Sequence, residues 1–412
     1  MIETRRPTII AGELLLTGEP EVRIPSGAVA IADSSVLAVG TLEALRRALP
    51  DAYPVHVFPG STVLPGLIDA HVHLALDAGR RPLEHFWARQ PGDIARDVGE
   101  RAAQYLRLGV TTVRDLGGAP VRSVPLAREN HRPQSPPQAR IQMSGPPLTR
   151  PAGHCWQLGG AVADSAGIRE TVRSNAQAGA KVIKIMVTSG RLTRGAPPPW
   201  SLQFGLDEVR ETVAIARDYG LPVAAHVHSA EGLAVALSAR VDTIEHARFL
   251  TPEGIKPDTG LIRDLARAGT AVCPTVNANW LRLGARVGEQ EAIATRRMIG
   301  LMLEYGVRLI VGTDCGIPDT PVSGFLDGLK AWAHLGLSPA AVLHKATAVT
   351  GEAIGPDGLG TLSPGAPADI IVVQSDPSVD LEALGTVLFA IRDGRLYWRG
   401  EPGSGPAQRP ES

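Results

Sequence analysis

Five short clusters hold most of the reactive side chains: Asp69-Ala70-His71-Val72-His73, a lone Lys184 within Lys181-Val182-Ile183-Lys184-Ile185-Met186, Ala225-His226-Val227-His228, Ile244-Glu245-His246, and Gly312-Thr313-Asp314. Five of the eleven histidines fall in them. Imidazole and carboxylate together are a common donor set for zinc and related divalent ions. Two clusters place histidines two residues apart, and strand residues two apart point to the same side. Each cluster alone has a plainer reading. A single His-x-His is more often a pair of core or surface histidines, and a Thr-Asp after a strand is usually a turn or a helix cap. Lys184 alone could be a strand-end lysine reaching for water. Taken together, four imidazoles and a carboxylate on one axis are enough for two divalent ions.

Alternating strands and helices must position these groups. Strands are expected at residues 62–71, 110–115, 139–144, 182–187, 223–226, 241–245, 270–275 and 308–312, and helices at 94–108, 168–178, 206–219 and 230–239. Eight β/α units in succession predict an α/β chain folded as a (β/α)8 TIM barrel, whose active sites gather at the C-terminal ends of the strands. An open doubly wound sheet would carry a GxGxxG after its first strand, and none is present. Strand-like pieces at residues 8–11, 13–16, 28–31 and 36–39 precede the barrel. Others at 369–374 and 387–391 follow it, the last ending in an Asp393-Gly394 hairpin signal. They predict a small β-sandwich domain formed from both termini. The expected division is 1–62 with 358–400 for that domain, 63–357 for the barrel, and 401–412 as a disordered Gly/Pro/Ser-rich tail.

Composition narrows the partners. Of the 412 residues 44% are apolar and 20% charged, and the formal net charge is −1. That balance gives no electrostatic reason for nucleic acid or an anionic membrane as partner. No apolar run is long enough for a signal peptide core or a membrane span. Cys155, Cys273 and Cys315 are odd in number and form no CxxC pair, which argues against a disulfide framework or a cysteine zinc site and for the cytoplasm. Barrels of this size commonly pair, so a homo-oligomer is a candidate state.

The run Pro65-Gly66-Leu67-Ile68-Asp69-Ala70-His71-Val72-His73 and the segment Gly360-Thr361-Leu362-Ser363-Pro364-Gly365-Ala366-Pro367-Ala368-Asp369-Ile370 resemble the amidohydrolase superfamily, and Lys184, His226-Val227-His228 and Gly153-His154 resemble its prolidase-like branch. The resemblance spans essentially the whole chain. It implies His71, His73, His226, His246 and Asp314 as metal ligands, with Lys184 carbamylated by CO2 and bridging two ions, zinc by default. Lys184 is one of only five lysines in the chain. A neutral buried amine can take up CO2, whereas an ammonium beside two cations is repelled. Lys181 has the opposite strand parity and is expected on the helical side.

The expected reaction is hydrolysis of a C–N amide bond in a small molecule, a dipeptide or an N-acyl amino acid. The nucleophile would be a hydroxide bridging the two ions, with Asp314 as general base and then acid. His228 is a candidate for proton transfer or substrate contact, and His154, in the loop after strand three, for substrate contact. The long segment 188–205 is read as a specificity loop whose Arg191 or Arg194 meets a substrate carboxylate. Prolidase-like relatives can carry a tyrosine shortly before the fourth helix; here the nearby aromatic is Phe204, which has no hydroxyl to polarise a carbonyl. A cyclic amide hydrolase or deaminase using one metal is the alternative. A non-catalytic barrel scaffold is a third reading, disfavoured because every expected ligand is retained.

Overall fold

The structure is a computed structural model that describes residues 7–50, 52–118 and 138–399; the tail expected at 401–412 and His131 lie outside the described residues. Leu67–Val72, Val110–Asp115 and Arg140–Met143 pair in parallel as one sheet. Ile183–Met186, Val223–Val227, Thr243–His246 and Ala271–Cys273 form a second parallel sheet of four. Apart from half-buried Arg140, every residue in these seven strands is buried. Burial on both faces is what near-continuous β-branched and apolar runs favour when helices cover a parallel sheet.

Backbone bonds link the two sheets at both edges. On one side the Lys181 N–H donates to the Met143 carbonyl at 2.8 Å, and Leu148 bridges Ile185 in parallel. On the other side runs the stretch expected as the eighth strand. It forms no regular strand, yet it pairs with both neighbours: Leu309 bridges Val272, Cys315 bridges Val72, and the Ala70 N–H donates to the Val311 carbonyl at 2.9 Å. Glycine makes the close approach possible. A Cβ on Gly312 would lie 2.5 Å from Cys273 Sγ and 2.8 Å from His71 Cβ.

The helices follow the sequence pattern closely, at Pro91–Arg107, Ser165–Ala178, Leu206–Asp218 and Ala230–Ser238. Asp164 and Ser229 cap two of them by accepting from Gly167 N and Gly232 N, and left-handed Gly179 ends the first of those two. The expected strand at residues 62–71 is in fact two. Val55–Pro65 belongs to a separate sheet, and Leu67–Val72 opens the barrel-type sheet; between them the Gly66 N–H donates to the Asp369 carbonyl.

That separate sheet joins both ends of the chain. Its order is Arg395–Arg399, Val387–Arg392, Ile370–Gln374, Val55–Pro65, Thr8–Leu16, Gly27–Ala32 and Ser35–Thr41, with Arg23–Pro25 paired to Thr8–Leu16. The two expected strands at 8–11 and 13–16 are one, with a register shift between Gly12 and Leu14. Ile10, Leu15, Val29, Val63 and Phe389 share one apolar cluster, while Ile9, Ala11, Ala28 and Ala30 pack with Leu45 of the short helix Leu42–Ala48.

Arg140 ties this sheet to the barrel-type strands. Its guanidinium donates to Asp369 Oδ1 at 3.0 Å, pairs with Asp393 in the last hairpin, and donates to Thr112 Oγ1 at 2.7 Å. Asp369 is only 4% exposed, so removing the arginine strands a buried carboxylate. Arg140→Met is expected to cost about 3–5 kcal/mol and to lower the thermal unfolding midpoint by several degrees, measured by circular dichroism.

Candidate metal centre

His71, His73, Lys184, His226, His246 and Asp314 come from five separate stretches of sequence and line one cavity of about 350 Å³. Strand parity works as expected at the first strand, whose His71 and His73 rings lie 5.3 Å apart, edge to face. Asp314 approaches both, with Oδ1 3.1 Å from His73 Nε2 and 3.5 Å from His71 Nε2. The Asp314 N–H donates to the His71 carbonyl at 2.7 Å, which fixes the aspartate against the first strand. Opposite them, the His226 and His246 rings are 4.5 Å apart, and His246 is 5.2 Å from His71. Two compact donor groups result: His71, His73 and Asp314 form one, and His226, His228 and His246 the other.

The backbone turns sharply where these ligands sit. His246 and Asp314 both adopt positive φ, at 70° and 61°, as does Thr275 at 54°. Left-handed non-glycine residues are strained by roughly 1–2 kcal/mol each, and such strain gathers at functional sites. Partners hold the strained residues in place: His246 Nδ1 lies 3.1 Å from Thr275 Oγ1.

Electrostatics favour neutral imidazoles, which is the form a metal needs. Burial, and then the charge of Lys184, pull His71 down to about 4. Burial and neighbouring imidazoles hold His226 and His246 well below the usual histidine value. His73 goes the other way: burial depresses it, but the hydrogen bond and charge of Asp314 outweigh that. Asp314 itself would be raised by burial, yet His71 and His73 hold it well below the carboxylate range.

Lys184 provides the test of fit for a metal pair. It is 1% exposed, and its Nζ has no hydrogen-bond partner. Burial lowers its pKa, against the pull of Glu245 and Asp314. A buried amine nitrogen without a partner is costly as it stands, and converting it to an anionic donor beside two cations removes that cost. Lys181, by contrast, lies just before this strand and is exposed.

Three supporting groups went unrecognised in the sequence. Glu245 accepts from Arg114 Nη2 at 3.0 Å and Thr243 Oγ1 at 2.7 Å, and lies 2.8 Å from His71 Nδ1. It thereby directs His71 Nε2 toward the cavity. Burial would raise its carboxyl, but Arg114 and His71 bring it down to about 2. With Arg114 already paired to it, Glu245 serves as a positioning group, although it also lies near His71 and Cys273 in a third donor group. Asp69 accepts from Thr313 N, Thr313 Oγ1 and Tyr105 Oη at 3.0, 2.6 and 2.9 Å, locking the Asp314 segment to the first strand. Gly190 leaves room for His154, since a Cβ there would lie 2.4 Å from His154 Nε2.

The remaining sequence candidates divide. His154 and His228 both line the cavity, with His154 4.7 Å and His228 4.5 Å from the His226 ring, centre to centre. His228 is thus also among the side chains that could hold an ion, as well as facing the cavity. Arg191 also lines the cavity, but its side chain is 57% exposed and its guanidinium faces Glu291 Oε1 at 3.4 Å. Arg194 is exposed and absent from the lining, because the segment folds back through a Thr188–Leu202 bridge and turns that side chain to solvent. Phe204 is buried beneath Arg150, 4.4 Å from its guanidinium carbon, and does not line the cavity. All three cysteines are free and buried. No helix among the described residues is long and apolar enough to cross a membrane.

Known proteins resemble the chain along most of its length. A family model described as the amidohydrolase family matches residues 62–396. An ochratoxinase of Aspergillus niger is 26% identical over 435 residues, covering 97% of this chain and 88% of its own. The crystal structure of a Xaa-Pro dipeptidase with methionine bound in its active site superposes with a TM-score of 0.80 at 25% identity, over 96% of this chain and all of that one. A putative prolidase from Bifidobacterium longum does so with 0.77 at 28%, over 98% and 97%. The match and these neighbours identify the fold as TIM-barrel-type.

Glu245→Gln leaves Arg114 buried without its charge partner and loosens His71. Metal affinity is expected to fall about 10- to 100-fold, read by competition with a chromophoric chelator.

Proposed function

The chain belongs to the amidohydrolase family, and from that premise we propose that it hydrolyses the C–N amide bond of a dipeptide or N-acyl amino acid with two divalent cations. One observation carries the reading: six ligand-type side chains from separate segments line a single cavity, and the lysine among them has no hydrogen-bond partner. His71, His73 and Asp314 would hold one ion and His226 and His246 the other, with Lys184, carboxylated on Nζ, donating to both. Carboxylation joins the neutral amine to CO2 and releases one proton. Zinc suits the imidazole and carboxylate donors. When bound, the ions would polarise the substrate carbonyl and make water acidic near neutral pH.

The protein's own groups supply the rest. Asp314, kept ionised by His71 and His73, accepts the proton released as water attacks and returns it to the departing nitrogen. Its positive φ and its bond to the first strand hold it beside the His71–His73 pair. His228 faces the cavity with its Nδ1 lacking a hydrogen-bond partner, and that nitrogen is free to contact substrate or relay a proton. Burial keeps His228 neutral, with the nearby Arg248 charge adding to the effect. His154, also neutral through burial, lies alongside the His226 ring as a second contact.

A screen of dipeptides and N-acyl amino acids against the zinc-loaded enzyme, followed by release of free amine, tests the reading. Turnover with close to two metals per chain supports it. One metal and activity confined to cyclic amides or amino-heterocycles contradicts it. Asp314→Asn is expected to keep the fold and lower kcat by about three or more orders of magnitude; near-normal turnover removes Asp314 from its role.

A further inference from the structure

Three arginines line the cavity: Arg191, Arg248 and Arg286. Two already have a carboxylate, since Arg191 faces Glu291 at 3.4 Å and Arg286 donates to Asp319 Oδ2 at 3.1 Å. Arg248 is different. It is half-buried, and among the described residues its guanidinium has neither an ion-pair partner nor a side-chain hydrogen bond. Its Cζ lies 5.6 Å from the Trp280 ring centre, and the charges acting on it across the cavity are those of Arg191, Glu291 and Asp314, none of them in hydrogen-bond contact with it. The same cavity wall is apolar around it, with Leu250, Trp280 and Leu283.

A guanidinium placed over an indole ring commits none of its N–H donors to a hydrogen bond there, so they stay available. Left unpaired in a partly buried cavity, such a charge favours an anion. A flat carboxylate matches it best, through two parallel hydrogen bonds. Location narrows the choice further. Arg248 follows the metal-group residue His246 by two positions, with His246, Ala247 and Phe249 all at positive φ, so the chain curls there instead of running on from the strand. Two residues span at most about 7 Å, which keeps the guanidinium's backbone close to the ligand cluster. The α-carboxylate of an amino acid is two bonds from the amide nitrogen that is cleaved, so it too must lie near the metals.

We infer that Arg248 is the specificity residue that binds the free α-carboxylate of the leaving amino acid, with the apolar wall at Trp280 and Leu283 taking that amino acid's side chain. This replaces Arg191 and Arg194 as the carboxylate partner, and it rests on the amide-hydrolase reading of the same cavity.

Binding can be measured without turnover. N-acetyl-leucine and N-acetyl-leucinamide are titrated calorimetrically into zinc-loaded full-length protein carrying Asp314→Asn. The acid is expected to bind roughly 10- to 100-fold more tightly than the amide. Adding Arg248→Met is expected to bring that ratio near one, Arg248→Lys to leave an intermediate ratio, and Arg191→Met to leave it intact. Equal binding of acid and amide by the parent protein overturns the inference, as does a preference that survives Arg248→Met or disappears with Arg191→Met. Metal content and unfolding midpoint are checked alongside, and Arg248→Lys provides the comparison if the methionine variant folds poorly. The amide-hydrolase reading fails separately: an Arg248-dependent preference without wild-type amine release leaves a carboxylate-binding site that serves another reaction.

Discussion

Lys184 lies in the second parallel sheet at 1% exposure, its Nζ without a hydrogen bond, facing a cavity it shares with buried histidines. Burying an amine and several imidazoles together lowers their proton affinities and leaves lone pairs without partners, which is unfavourable for a folded chain on its own. On the proposed reading, cations would remove the penalty by using those lone pairs, and the metal's binding energy would then become part of the stability of the fold. Much of the surrounding architecture can be understood as holding the donors in position until the ions bind.

That holding is done by residues outside the proposed ligand set. Arg114, in the second barrel-type strand, joins Glu245 of the sixth, and Glu245 orients His71 of the first. Asp69, whose carboxyl burial raises to about 6, gathers donors from Thr313 and Tyr105 and so fixes the segment that carries Asp314. Gly312 lets that segment close against His71. At the periphery, Arg140 secures the sheet made from both chain ends to the third strand.

Much of this was legible in the sequence, for physical reasons that differ from residue to residue. His71 and His73 were readable because side chains two apart on a strand must share a face. Lys184 stood out as a rare charged type in a buried apolar run. The helices showed through their residue pattern, and the structure adds the caps Asp164 and Ser229 that fix their starts. The eighth strand was expected at residues 308–312, but that stretch pairs only through bridges and single backbone bonds, because no regular ladder forms there. The break at Gly66 was hidden inside one continuous apolar run, since apolar pattern records burial and not which sheet does the burying. Glu245 sits next to His246 and so has opposite parity; only the three-dimensional arrangement brings Arg114 and His71 to it. The arginines were beyond reach for the same reason. Whether 191, 194 or 248 faces the cavity depends on loop dihedrals, and the three positive φ values at residues 246, 247 and 249 have no signature in those residue types.

Anomalous diffraction from zinc-loaded crystals, collected on either side of the zinc absorption edge, tests the central claim most directly. Two peaks in the cavity are predicted, one against His71, His73 and Asp314 and the other against His226 and His246, with continuous density from Lys184 Nζ to a carboxylate between them. A single peak with an unmodified Lys184, or zinc bound only outside this cavity, contradicts the account.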